Sequence, residues 1–234
     1  ELVNVKFERS EIIPCLIDTN LFSYERKDPE LRKKIFVLRK FDDIRSYSLD
    51  TVVRVILELS RRPFFNDLEF DIYGDGSLHE RILEPIKDFE NVIIHKEFLS
   101  HEEIRKVHQT HGIALFPTRF DSQAVSSCEA ASSGCAVVTS NIPGVRQFIP
   151  EQLGVLCDPE DYKQYADVIE KMYNDSDYFL KVAEAESLSV QNKFDYEHTI
   201  LKELDMYQKE EQGEVSCEIK PEKPILSVII PSYN

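Results

Sequence analysis

The sequence is short of positive charge: 28 Lys and Arg stand against 43 Asp and Glu, a net charge of −15 over 234 residues. That deficit argues against a nucleic-acid groove or an anionic membrane surface as the main partner. No apolar run approaches the roughly 20 residues that a membrane helix needs, and the start carries no signal-peptide pattern. The five cysteines (Cys15, Cys128, Cys135, Cys157 and Cys217) are odd in number and include no C-x-x-C pair. This speaks against a disulfide framework and a cysteine zinc site, and reduced thiols in a cytosolic protein are the expectation. The six histidines show no metal-ligand spacing. His95, His101 and His108 read as surface or strand-end residues, and no metal is expected. No G-x-S-x-G nucleophile elbow and no internal repeat occur. The chain opens on Glu1 rather than Met, as expected of a piece of something longer.

What is present is an ordinary globular mixture, 42% hydrophobic and 30% charged, with enough apolar mass for a core. From Lys34 onward, apolar strands alternate with amphipathic helices. Strands are predicted at Ile35 to Arg39, Leu68 to Tyr73, Val92 to His95, Ile113 to Phe116, Ala136 to Val138 and near Gly154 to Cys157. Between them, Leu49, Val52, Val53, Ile56 and Leu57 fall at helical spacing behind Ser48, a predicted N-cap. A helix through Ile82 and Ile86 follows Gly74-Asp75-Gly76. Ser100 and Glu103 form a capping box ahead of Ile104 and Val107. Asp158-Pro159 signals a further helix start, with Tyr162, Tyr165, Ala166, Ile169, Met172 and Tyr173 on one face. One or two more helices cover about 176 to 208. This alternation predicts an α/β fold, a Rossmann-like parallel sheet with helices on both faces. Residues 1–34 make no closed core alone and must pack on the later elements. Residues 35–207 form the predicted domain, 208–224 a polar linker, and 225–234 the first strand of a following domain.

The candidate chemistry centres on the stretch from Ile113 to Thr139, where a strand feeds a loop, a small-residue helix and a second strand. A helix N-terminus there, at the carboxyl end of a parallel sheet, can receive an anion. Asp121 and Glu129, eight positions apart, could perform acid/base work, bind a metal or accept sugar hydroxyls. They could equally be an acid favoured by the helix dipole and a plain helical Glu. Arg39, at the end of the first predicted strand, and Arg45 in the next loop can point into the same crevice and match phosphate oxygens, or be surface arginines. Gly74-Asp75-Gly76 fails as a dinucleotide fingerprint, because it does not follow the first strand and no third glycine arrives. It reads instead as a tight turn lining a crevice. Cys128 and Cys135 read as packing residues.

PTRFDSQAVSSCEAASSGCAVVTS resembles the donor-site signature of GT-B retaining glycosyltransferases (group 1, family 4-like). There an acid is followed, after seven residues, by Glu-Ala, a small-residue helix, Gly and a Val-Val strand. IIPCLIDTNLF, LRKFDDIRSYSLD, IYGDGSLHERI and VIIHKEFLSHEEIRKVH resemble that family's other segments in order, so the resemblance spans about residues 10 to 205. It implies the C-terminal, donor-binding half of a GT-B fold with a nucleotide-diphosphate sugar as donor substrate and no further cofactor. Glu129 would then bind ribose hydroxyls, Asp121 the donor sugar, and Arg39 and Arg45 the diphosphate leaving group. The N–H groups around Ala124, Val125 and Ser126 would receive the distal phosphate. Gly74 would line the crevice, and the segment from Lys96 to Leu99, with Phe98, would meet the base. Three positions depart from the family pattern: Asp121 for Glu, Arg45 for Lys, and Ala124 for a common Gly, where a positive φ is less comfortable. ILSVIIPSYN at the end resembles the opening strand of a GT-A transferase. The implied whole is a bifunctional glycosyltransferase of bacterial surface polysaccharide synthesis, cytoplasmic or at the inner membrane face through other parts of the parent protein. Its acceptor would be a glycan, held by an N-terminal domain. The alternative is a catalytically degenerate scaffold domain of a glycan polymerase.

Overall fold

The computed structural model describes residues 12–211. Residues 1–11 and 212–234, with Cys217, most of the predicted linker and the predicted final strand, lie outside the described residues. Six strands form one sheet: β1 (Lys34–Leu38), β2 (Glu69–Tyr73), β3 (Val92–His95), β4 (Ile113–Phe116), β5 (Ala136–Ser140) and β6 (Leu156–Cys157). All pairs are parallel, in the order β3-β2-β1-β4-β5-β6. Every residue of β4 and β5 is buried, so helices cover the centre of the sheet on both faces, which is why these strands read as unbroken apolar runs. The α/β Rossmann-like class expected from the alternation is the fold observed.

Nine α-helices lie among the described residues: α1 (Ile44–Tyr47), α2 (Leu49–Leu59), α3 (His79–Leu83), α4 (His101–Thr110), α5 (Val125–Ser132), α6 (Pro143–Arg146), α7 (Tyr162–Asn174), α8 (Ser176–Phe194) and α9 (Ile200–Glu211). Helix α2 packs on α7, and α5 on α8. The capping box at Ser100 and Glu103 forms in both directions. Tyr165, Ala166, Ile169 and Met172 bury one face of α7.

Several local expectations change. Ser48 stands at the N-cap of α2 but its side chain makes no cap, because it also ends α1 in the left-handed region (φ 46°, ψ 39°), which turns its hydroxyl away from the free N–H groups. Helix α7 starts at Tyr162, not at Asp158-Pro159. Asp161 is its N-cap, accepting from the Lys163 and Gln164 N–H groups, while Asp158 serves the preceding turn by accepting from Glu160. Ile86 lies beyond α3, in a turn. Helix α9 runs through residues 208–211, which the linker was expected to begin. His108 is not at the surface: it is buried against Phe22 and Phe36, and its Nδ1 lies 3.0 Å from the Ser133 hydroxyl. Burial and the nearby Lys27 charge press its pKa down to about 3, so it packs as a neutral ring.

The described part of the leading segment is integral to the domain. Ile17 and Phe22 are buried in it, and the Ile17 N–H donates to the Phe194 carbonyl at 2.8 Å. Lys27 Nζ donates to the His108 carbonyl at 2.6 Å.

Candidate functional site

Strand order reverses between β1 and β4, so the chain leaves their carboxyl ends in opposite directions and opens a crevice there. Arg39 follows β1 directly, and its N–H donates to the Tyr73 carbonyl at 3.1 Å. Its guanidinium is drawn inward, 4.4 Å from the Phe116 ring centroid and 5.7 Å from that of Tyr47. The side chain is buried, at 9% exposure, and Nη1 reaches only the Leu38 carbonyl at 3.3 Å. Nε and Nη2 are buried with no partner among the described residues. Burial pulls the Arg39 pKa down to about 10, partly offset by the Asp121 carboxylate, so the group stays charged at neutral pH. Buried charged donors without acceptors are rare in folded proteins. An anionic oxygen could accept from both.

A cavity of about 260 Å³ holds Arg39 together with Gly74, Tyr73, Phe98, Leu99 and Ser126. Gly74 (φ 142°) belongs here by necessity: a Cβ on it would come within 1.8 Å of the Arg39 carbonyl oxygen. Ser126 brings in the first turn of α5, whose leading N–H groups at Val125 and Ser126 the helix cannot itself satisfy. Ala124, the residue before that helix, adopts φ 56° and ψ 57°. The left-handed turn that the family's glycine would favour is therefore made here by an alanine, at a cost of about 1–2 kcal/mol. Phe98 is 65% exposed at the rim, a free aromatic face.

A second cavity, about 660 Å³, adjoins the first across Tyr47, which lines both. It is bounded by Asp121, Ser122, Arg119, Phe120 and Gly144 among others. Asp121 Oδ1 accepts from the Gln123 N–H at 3.1 Å and from the Ala124 N–H at 2.5 Å, so the acid also shapes the turn into α5. Gly144 lets α6 approach that loop, since a Cβ there would lie 2.3 Å from the Asp121 carbonyl oxygen. Gln123 is buried, and its side-chain amide pairs with the backbone of Cys15, accepting its N–H at 2.6 Å and donating to its carbonyl at 2.8 Å.

Glu129 sits one turn beyond Ser126, on the same side of α5. It is half-buried, and burial alone pushes its pKa up to about 7. No hydrogen bond or ion pair from a described residue reaches its carboxylate. Such a group can accept a pair of hydroxyls.

Of the sequence-predicted residues, Ala124, Val125 and Glu129 line neither cavity but lie within one turn of Ser126 at the start of α5, and two others stand farther off. Arg45 is exposed on α1 beside Asp43, whose carboxylate accepts its N–H, and it lines neither cavity. Lys96 is exposed, pairs with Glu80 at 3.0 Å and also lines neither. Tyr47, Tyr73, Arg119 and Gly144 line the crevice but carried no motif of their own. Only their positions at strand ends and in loops, seen after the strand order is known, mark them.

Away from the crevice, Glu69, Asp71 and His111 offer ligand-type atoms within 4.8 Å of one another. Each already has a partner: Lys34 for Glu69, and both His95 and His111 for the two oxygens of Asp71. They form an internal hydrogen-bond network.

Solved structures share this architecture. Sucrose-phosphate synthase from Thermosynechococcus elongatus superposes with a TM-score of 0.72 at 18% identity, over 87% of this chain and 53% of that one. TarM of Staphylococcus aureus, in complex with fondaparinux, alpha-GlcNAc-glycerol and UDP, does so with a TM-score of 0.68 at 18% identity, over 88% and 40%. In sequence, the chain is 28% identical over 153 residues to a phosphatidylinositol N-acetylglucosaminyltransferase subunit of Arabidopsis thaliana, a match covering 64% of this chain and 33% of that protein. The chain thus spans about a third of the length of that curated relative. Residues 32–175, from just before β1 to the end of α7, match the profile of glycosyl transferases group 1. That span contains the whole sheet and every residue of the crevice, and the chain belongs to the glycosyl transferases group 1 family.

Proposed function

We propose that this chain is the nucleotide-sugar-binding half of a retaining glycosyltransferase, the C-terminal part of a GT-B fold. The observation that carries this reading is the buried Arg39 guanidinium, whose Nε and Nη2 have no partner among the described residues. A diphosphate would satisfy them. On this reading Arg39 and the first N–H groups of α5, at Val125 and Ser126, hold the pyrophosphate and stabilise it as leaving group, whereas the Ala124 N–H, expected to join them, is taken by Asp121. Pre-aimed donors of this kind act where charge develops, without reorganisation and without a protein-bound metal being required. Glu129 accepts the ribose hydroxyls, and its carboxylate is desolvated and unpaired in support of that role. Phe98 and Tyr73 offer the base an aromatic wall beside Gly74. Asp121 faces the larger cavity, where the donor sugar would lie, with its Oδ2 left over from the turn it shapes. Arg45, exposed on α1 and outside both linings, is given no contact with the diphosphate on this reading. The presence of UDP in the complex of TarM, whose fold this chain shares, supports a nucleotide as ligand.

The acceptor, a glycan in bacterial surface polysaccharide synthesis, would be held by an N-terminal domain at the cytoplasmic side of the membrane. This chain alone would bind donor and transfer little. A second reading, a scaffold domain that no longer catalyses, draws on Asp121, whose Oδ1 is occupied by two backbone N–H groups.

Calorimetric titration of the chain with UDP-, GDP- and dTDP-sugars tests the first reading. One of them should bind, and Arg39→Ala should weaken it tenfold or more, about 1.4 kcal/mol. Equal affinity in both proteins would remove Arg39 from the site. Loss of transfer by the full-length parent on Asp121→Ala would separate the enzyme from the scaffold.

A further inference from the structure

We propose that Arg119 is a positioning residue for the sugar side of the crevice, acting through the loop that carries Asp121. This inference rests on the donor-site reading above. The loop between β4 and α5 has no strand or helix of its own to hold it, yet it must present Asp121 at a fixed distance from Arg39. Its first residues are anchored to α1, where the Ser46 carbonyl accepts both the Arg119 N–H at 2.8 Å and the Thr118 hydroxyl at 3.0 Å.

The Arg119 side chain completes the anchor. Its Nη1 and Nη2 each donate at 2.9 Å to one oxygen of Asp50, in the first turn of α2. Nε also pairs with Glu160 Oε1, and Nη2 reaches Glu160 Oε2 at 3.0 Å, in the loop before α7. A planar fork can hold two carboxylates in this way where an ammonium cannot. One guanidinium thereby ties the Asp121 loop to α2 and to the approach of α7. Helix α2 follows Tyr47, the wall shared by the two cavities, so the tie sets the span between that wall and Asp121.

Two arginines border one crevice with opposite chemistry. Arg39 is buried, and its Nε and Nη2 lack acceptors among the described residues, as a ligand group's would. Arg119 faces two carboxylates that neutralise it, so it offers an anion little, and its place in the lining of the larger cavity is a framing one. The carboxylates rank by burial: the Asp50 side chain is 34% exposed and Glu160 61%. Exposed pairs contribute little, so Asp50 carries most of the anchor.

The test is calorimetry on the 234-residue chain with three matched pairs: UDP and UDP-glucose, GDP and GDP-mannose, dTDP and dTDP-glucose. The readout is the ratio of nucleotide-sugar to nucleotide-diphosphate affinity for the pair that binds. Arg119→Gln and Asp50→Asn are expected to lower that ratio at least fivefold, Glu160→Gln less than twofold. Affinity for the diphosphate alone should stay within twofold. The double variant Arg119→Gln with Asp121→Ala should lose no more than Asp121→Ala by itself, and Arg119→Lys should recover only part. A merely stabilising Arg119 would shift the melting temperature and leave the ratio untouched, which overturns the proposal. So do losses that add in the double variant, or an equal fall for diphosphate and sugar. If Arg119→Gln does not fold, Asp50→Asn carries the same ratio test. Failure of the unsubstituted chain to bind any of the six compounds would instead overturn the donor-site reading, and this inference with it.

Discussion

The Arg39 guanidinium lies 4.4 Å from the centroid of the Phe116 ring, joining the ends of β1 and β4 across the point where strand order reverses. A cation against an aromatic face is favourable, on the order of 0.5–2 kcal/mol. It does not replace the hydrogen bonds that Nε and Nη2 lack. Arg39→Met keeps the apolar stem and removes the unpaired charge. The ligand-free chain should therefore melt at the same temperature or higher, while affinity for nucleotide diphosphate falls at least tenfold. Thermal melts and calorimetry on one preparation check both signs. A lower melting temperature with unchanged affinity would make Arg39 a structural residue.

Glu129 gives a prediction in pH. Burial raises its carboxyl from 4.5 to about 7. Between those values the folded chain keeps a proton that the unfolded chain has released, so stability falls as pH rises through that window and levels off above it. Glu129→Gln should flatten that part of the stability profile in urea titrations at a series of pH values. If ribose hydroxyls donate to the carboxylate, binding favours the ionised form and releases protons between about pH 6 and 7. Calorimetry in buffers of different ionisation enthalpy reads that release directly. No release, or the same release from Glu129→Gln, would count against the ribose assignment.

Ala124 occupies a left-handed conformation at φ 56°. Glycine is at ease there, though it loses more chain entropy on folding, so Ala124→Gly should stabilise the chain by up to about 1 kcal/mol. Ala124→Val, β-branched at the same φ, should destabilise it by about 2 kcal/mol or more. Urea midpoints of the two variants, moving in opposite directions, are the check.

Glu186, fully buried on α8, accepts the Val137 N–H at 2.7 Å through Oε2. It serves as a side-chain partner for β5 where the two-residue strand β6 does not reach. Burial raises its carboxyl pKa well above 4.5, opposed by that one hydrogen bond. Its stability contribution is complete at low pH and is lost as pH rises towards the folded-state value. Glu186→Gln keeps the acceptor and should remove that pH dependence. Glu186→Leu orphans the Val137 N–H and should cost about 1–3 kcal/mol. Chemical denaturation at pH 5 and pH 8 distinguishes the two.

Much of the fold was legible in the residue pattern because burial period is a local property. Runs such as Ile113 to Phe116 and Val92 to His95 match the observed strand limits, and the Ser100 capping box declares its helix without help. Differences fall where one residue serves two elements or a partner lies far along the chain. Ser48 closes one helix while opening the next in a left-handed conformation, so its hydroxyl does not reach the N–H groups it would cap. His108 carries a polar ring that only contacts with Phe22, Phe36 and Ser133 could reveal as core. Of the crevice, Asp121, Glu129 and Arg39 stand out by their motif, whereas Tyr47, Arg119 and Gly144 have no signature apart from their neighbours.

The sequence by itself determined the alternation of strands and helices, the apolar centre of the sheet and the acidic loop leading into α5. Each depends on residues a few positions apart. Only the tertiary structure decided that Arg39 would be buried with Nε and Nη2 unpartnered among the described residues, that Glu129 would be desolvated, and that Arg119 would be neutralised by Asp50 and Glu160. Those outcomes depend on which strands become neighbours, and so on which distant groups share one low-dielectric space. Two arginines that look alike along the chain differ in what the fold placed opposite each: an aromatic ring for Arg39, two carboxylates for Arg119.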